Sequence, residues 1–181
     1  MLRPGDANEV VEAYRYVMRL HHRPAVLALS RQPLPTLDRT KYAPATGVAR
    51  GAYVLADAPG GMPEIILIAT GSEVSLAAQA HETLVAGGVR SRVVSMPSWD
   101  IFERESQAYR DSVLPPGVTA RLAIEQASTF GWERYVGREG GVIGMHTFGA
   151  SAPLKALQQE FGFTVDNVVA TAKALLNRRG V

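Results

Sequence analysis

Apolar and polar positions alternate along this chain with two different periods, and the switches between them outline its elements. Val10, Tyr14, Val17 and Met18 recur at helical spacing behind Asp6 and Glu9, which stand three apart as a capping box requires, so a helix is expected from about residue 7. Pro24 closes it after His21-His22-Arg23, and Ala25–Leu29 is a short unbroken apolar run, the pattern of a strand buried on both faces. Residues 1–31 thus read as a single α–β unit. One such unit cannot cover a two-sided strand, so it is expected to expose apolar surface, and the chain is expected to begin inside a domain. Pro33, Pro35 and Pro44 break residues 32–50 into a linker.

A second, fuller pattern follows over 51–181. Strands are expected at Ala52–Ala56, Ile65–Ala69, Arg92–Met96, Leu122–Glu125 and Val142–Met145. Helices are expected at Glu73–Ala86, Ser98–Arg104, Ser106–Val113, Trp132–Val136, Pro153–Phe161 and Asp166–Arg178, with Gly87-Gly88 stopping the first. Strands alternating with helices predict an α/β fold: a mostly parallel, mixed sheet with helices on both faces.

Composition narrows the class. The chain has 181 residues, 46% hydrophobic and 20% charged, typical of a globular protein. No apolar run nears the ~20 residues that span a bilayer, and Met1–Asp6 has no apolar signal core. Cysteine is absent, which rules out disulfides, thiolate nucleophiles and zinc–thiolate sites. A cytoplasmic protein with no membrane partner is the expectation. The net charge is +2, but the arginines are scattered without interleaved aromatics, so no nucleic-acid partner is expected.

Arg31 is the strongest candidate for chemistry. It follows the apolar run 25–29, and open α/β sheets gather ligands at the carboxyl ends of strands. A guanidinium there suits either a phosphate or a carboxylate across a domain boundary. Gly71 and Ser72, between a strand and a helix, form a candidate anion site at the helix start; the competing reading is a tight structural crossover, which Glu73 favours. His81 lies on the apolar face of its helix and is expected to pack in the core, and His146 to sit in a loop. Glu125, at a strand end, is expected to cap the next helix or meet a second subunit. No histidine makes a metal-ligand spacing, and no serine lies in a hydrolase elbow.

Read in order, these segments resemble one family. Arg3-Pro4-Gly5-Asp6-Ala7-Asn8-Glu9 and Ala28-Leu29-Ser30-Arg31-Gln32-Pro33 resemble the end of the pyrimidine-binding domain of transketolases. Ala69-Thr70-Gly71-Ser72-Glu73-Val74, Met96-Pro97-Ser98-Trp99, Gly131-Trp132 and Gly144 to Pro153 resemble the transketolase C-terminal domain. The resemblance implies domain bounds of 1–31, 32–50 for the linker and 51–181. It implies transfer of a two-carbon ketol unit between ketose and aldose phosphates, with thiamine diphosphate and a divalent magnesium or calcium ion. It also implies a homodimer whose sites form between subunits, and a phosphate-binding role for Arg31. The diphosphate-binding domain and the glutamate that activates the cofactor have no counterpart in this sequence. No catalytic residue, no metal ligand and no bound cofactor are therefore expected on this chain, which reads as a fragment or a split subunit. The same end pieces occur in dihydroxyacetone synthase. A stand-alone binding or assembly module, with an anionic effector at Gly71–Val74, is the alternative.

Overall fold

The computed structural model describes residues 1–178. Five strands form one sheet in the order β1-β3-β2-β4-β5: β1 (Tyr53–Ala56), β2 (Ile65–Ala69), β3 (Ser91–Ser95), β4 (Arg121–Ser128) and β5 (Gly141–Met145). β1 runs antiparallel to β3 at one edge; every other pairing is parallel. The expected mixed, mostly parallel sheet is therefore present.

Successive side chains of a strand point to opposite faces, and the core divides accordingly. Ile65, Leu67, Leu122 and Ile124 face α2 (Glu73–Ala86) and α7 (Val165–Asn177), through residues such as Val74, Ala77, Leu84, Val168 and Leu175. Ile66, Ile68, Val94 and Ala123 face the other way, against a layer built from α3 (Trp99–Phe102), α4 (Gln107–Val113) and α5 (Glu133–Val136). Phe102, Val113, Trp132 and Tyr135 fill that second layer. A central strand covered on both sides is why Ile65–Ala69 is wholly buried and wholly apolar. α2 ends in a Schellman motif: Val89 donates to Leu84 O and Gly88 to Val85 O, with Gly88 at φ +83°. α6 (Leu154–Glu160) precedes α7 and buries no residue fully.

The N-terminal stretch departs from expectation. α1 (Ala7–Val17) forms as predicted, with Asp6 accepting from Glu9 N at 2.8 Å. Ala25–Leu29, however, is no strand, and it is not buried on both faces. Its one rung is a parallel bridge from Leu27 to Leu2, and Val26 and Leu29 are 60% and 51% exposed. A strand needs a ladder along its length, and among the described residues only Leu2 offers one. The expected apolar exposure is present, and α1 adds Val11, Tyr14 and Met18 to it. Within the linker, Ala45–Arg50 winds into a short 3-10 helix that its prolines do not prevent, Pro44 standing just before it.

Candidate functional site

The carboxyl ends of β2, β3 and β4 form the crevice where an open α/β sheet takes its ligands. Here the chain's own residues 2–6 enter that crevice. Arg3 N donates to Pro97 O after β3, and Arg3 O accepts from Gly71 N after β2 and from Thr70 Oγ1. Leu2 is 2% exposed beside them. Gly71 makes this possible with φ +59°, a conformation that side-chain-bearing residues resist.

Three buried acids pin the segment. Both oxygens of Asp6 accept from Arg39 Nη2, at 2.8 and 2.9 Å, while Asp6 also caps α1. Glu9 is fully buried. It reaches back to Gly5 N at 2.7 Å, one residue before the amide that a capping box would use. Its other oxygen accepts from Tyr53 Oη at 2.7 Å and Ser95 Oγ at 2.6 Å. Burial pushes the Glu9 carboxyl above its ordinary range, against those three hydrogen bonds. The third acid is Glu125, 3% exposed, with Arg3 Nη2 at 2.7 Å. Burial pushes its carboxyl up to about 7; Arg3 opposes the rise and neighbouring Glu73 adds to it. Glu125 thus caps no helix: its partner is a cation 122 positions earlier, brought in by the docked segment.

The structure separates the predicted site residues rather than gathering them. Gly71 and Ser72 do sit at the start of α2, but Ser72 Oγ donates to Glu73 Oε1 at 2.7 Å and makes no capping bond to the helix. Glu73 is itself buried, accepting from Gln126 N at 3.3 Å, so carboxylates surround the turn. Arg31 stands elsewhere, exposed, on a turn closed by Ser30 Oγ, which accepts from Gln32 N at 3.1 Å and donates to Gln32 O at 3.0 Å. Its guanidinium pairs with no described residue. His81 packs in the core as expected, Nδ1 lying 2.8 Å from Ser91 Oγ, and His146 is exposed. Among the described residues no three His, Asp or Glu side chains gather as a metal site, and no helix is long and apolar enough to cross a membrane.

Sequence reasoning overlooked Arg3, Arg39 and the burial of Glu9. One signal was available: Arg3, Asp6 and Glu9 place three charged side chains at a spacing of three within the first nine residues.

Comparison with known proteins agrees with this architecture. Residues 51–164 match the family model described as the transketolase-like TK C-terminal domain. The transketolase of Geobacillus stearothermophilus is 52% identical over 178 residues, 98% of this chain and 27% of that protein. Transketolase 1 of Escherichia coli (strain K12) is 53% identical over 174 residues, 96% of this chain and 26% of that one. The solved transketolase from Leishmania mexicana superposes with a TM-score of 0.88 at 40% identity, covering 98% of this chain and 25% of its own. A split-gene transketolase, described as an inactive β4 tetramer, shares the fold at a TM-score of 0.77 and 21% identity, with 97% of this chain and 57% of that one covered. The chain spans about a quarter of the length of the curated relatives named here.

Proposed function

The chain belongs to the transketolase family, matching the C-terminal part of its members, and from that premise we propose that it serves ketol transfer as one part of a larger active assembly. The reaction would move a two-carbon ketol unit from a ketose phosphate to an aldose phosphate. Thiamine diphosphate with its magnesium or calcium ion would supply the carbanion chemistry. This chain's described residues do not fit that group, since no acidic or histidine cluster gathers to hold the ion, so none of the steps assigned here runs through it.

The reading divides the chain at residues 1–31, 32–50 and 51–181, as the end of a pyrimidine-binding domain, a linker and a C-terminal domain; residues 179–181 lie outside the described ones. The observation that carries it is the match of about half of all residues along nearly the whole chain to transketolases. The exposed apolar residues Val11, Tyr14, Met18, Val26 and Leu29 support it, as surface on which the remaining domains, in a homodimer, would rest.

Arg31 would grip the substrate's phosphate. A free guanidinium on a closed turn is suited to that, because two parallel N–H bonds match a phosphate edge. The phosphate sits at the non-reacting end of the sugar, so its binding energy can orient the reacting carbons. The alternative, an independent module with an anionic effector at Gly71–Val74, has weaker support. Glu73 already takes the Ser72 hydroxyl, and a second carboxylate, Glu125, raises the charge an anion would face.

Combining the chain with separately produced N-terminal domains and assaying ketol transfer tests the reading; neither association nor activity would refute it. In that assembly Arg31→Ala should lower kcat/KM for phosphorylated acceptors by about 1.5–3 kcal/mol, the range of one charge-assisted bond. An equal loss with unphosphorylated acceptors would contradict the role.

A further inference from the structure

Beside the docked segment, at the same carboxyl ends of β2, β3 and β4, lies a cavity of about 320 Å3. It falls at the lower end of the ~300–1,000 Å3 typical of small-molecule sites. Met96, Trp99 and Trp132 give it an apolar wall, the two indoles meeting edge to face at 4.9 Å between centroids. Arg3, Ser98 and Glu125 give it polar lining.

Two of those polar groups are unsatisfied. Ser98 is 2% exposed and holds the position before α3 where a serine usually accepts from the helix, yet its Oγ has no hydrogen-bond partner. Glu125 Oε1 is buried as well; Arg3 Nη2 is near, but no N–H is aimed at it well enough to make a hydrogen bond. Folded proteins rarely leave buried oxygens so, because each costs about what a lost hydrogen bond would. Glu125 is the buried carboxyl of this lining, and Arg3 lies beside it at 2.7 Å. Asp100 at the rim is already paired, with the amino group of Met1 at 2.9 Å. Finally, the ladder of β4 with β5 slips between Glu125 and Ser128, a bulge of the sort that re-aims side chains beside binding sites.

We propose that this cavity binds a small primary ammonium compound with a short apolar body. The ammonium donates to Glu125 Oε1 and Ser98 Oγ, and the body rests against Trp99 and Trp132. An ammonium carries three donors and no acceptor, which suits two buried oxygens that accept no hydrogen bond. The indoles favour the same charge through their negative faces. A carboxylate or phosphate would meet the Glu125 carboxyl and bring no donor to either oxygen.

Trp99 and Trp132 are the chain's two tryptophans, so intrinsic fluorescence reports on the cavity itself. Titration of the full chain with n-butylammonium chloride should give a saturable change in emission, and sodium butyrate and 1-butanol should give none. Glu125→Gln should weaken that binding about tenfold and Ser98→Ala about threefold, with circular dichroism showing both variants folded. If Glu125→Gln does not fold, Ser98→Ala decides. Equal responses to butylammonium and butanol would make the cavity a plain apolar hole and overturn the proposal. So would the absence of saturation, or an unchanged affinity in the folded variants.

Discussion

Residues 2–9, which run into the first turn of α1, and residues 25–31, which follow that helix, meet the rest of the molecule in opposite ways. The first stretch is threaded into the sheet's carboxyl edge by main-chain bonds to Gly71 and Pro97, and by Asp6 and Glu9. The second touches that edge through a single rung at Leu2 and exposes Val26, Leu29 and Arg31. Sequence position alone would put both in one unit. Their polar partners divide them: buried acids tie the first stretch to this sheet, while the second displays an apolar surface and an unpaired cation. Association with another surface would give both a use.

The contrast can be broken most forcefully at Asp6. Asp6→Ala removes the cap of α1 and leaves the Arg39 guanidinium, largely buried, without its carboxylate. A loss of about 3–4 kcal/mol in urea unfolding is expected. Glu9→Ala should follow at about 2–3 kcal/mol, because Tyr53 Oη, Ser95 Oγ and Gly5 N all lose their acceptor, although the burial of a charge is relieved. A loss under about 0.5 kcal/mol in either variant would mean that the segment is not part of this fold.

Glu125 gives a smaller, pH-dependent effect. Its carboxyl holds a proton more tightly folded, at about 7, than unfolded, at 4.5. The folded state therefore binds more protons between those values, and this group's contribution to stability falls as pH rises through them. Glu125→Gln removes that dependence. Its stability relative to the parent should improve by about 1–2 kcal/mol between pH ~5 and pH ~8 in paired urea titrations, less than the shift alone implies because the Arg3 pair is lost too. A constant difference across that range would contradict the assignment.

The loose stretch should respond least. Val26→Ser and Leu29→Ser change side chains that are mostly exposed here, so stability should move by about 0.5 kcal/mol or less. The same substitutions should weaken association with the N-terminal domains, which co-purification would measure. Unaffected association would remove that surface from the proposed interface.

The legibility of the sequence follows the range of the interactions. Ile65–Ala69 was readable because burial on two faces leaves a local, unbroken apolar run. The Asp6 cap was readable for the same reason, its acceptor and donor being three residues apart. The ties that define the docked segment were not. Asp6 meets Arg39, Glu9 meets Tyr53 and Ser95, and Arg3 meets Glu125, over separations that no local pattern records. Ala25–Leu29 shows the converse failure, since its composition is that of a buried strand while the ladder such a strand requires is not made. Of the candidate site, the placement of Gly71 and Ser72 at a strand-to-helix turn was readable, but the loss of the Ser72 hydroxyl to its neighbour Glu73 was not.

The rung at Leu27 also sets a length. Leu2 is fixed in the crevice and Leu27 is fixed to Leu2, so Arg31 hangs on a tether of four residues. Fully extended, such a tether reaches at most about 14 Å from Cα to Cα. Any anion that Arg31 serves must therefore come within that radius, plus one side chain, of a point set by the sheet, and a mutation that unseats Leu2 would lengthen the leash without altering Arg31.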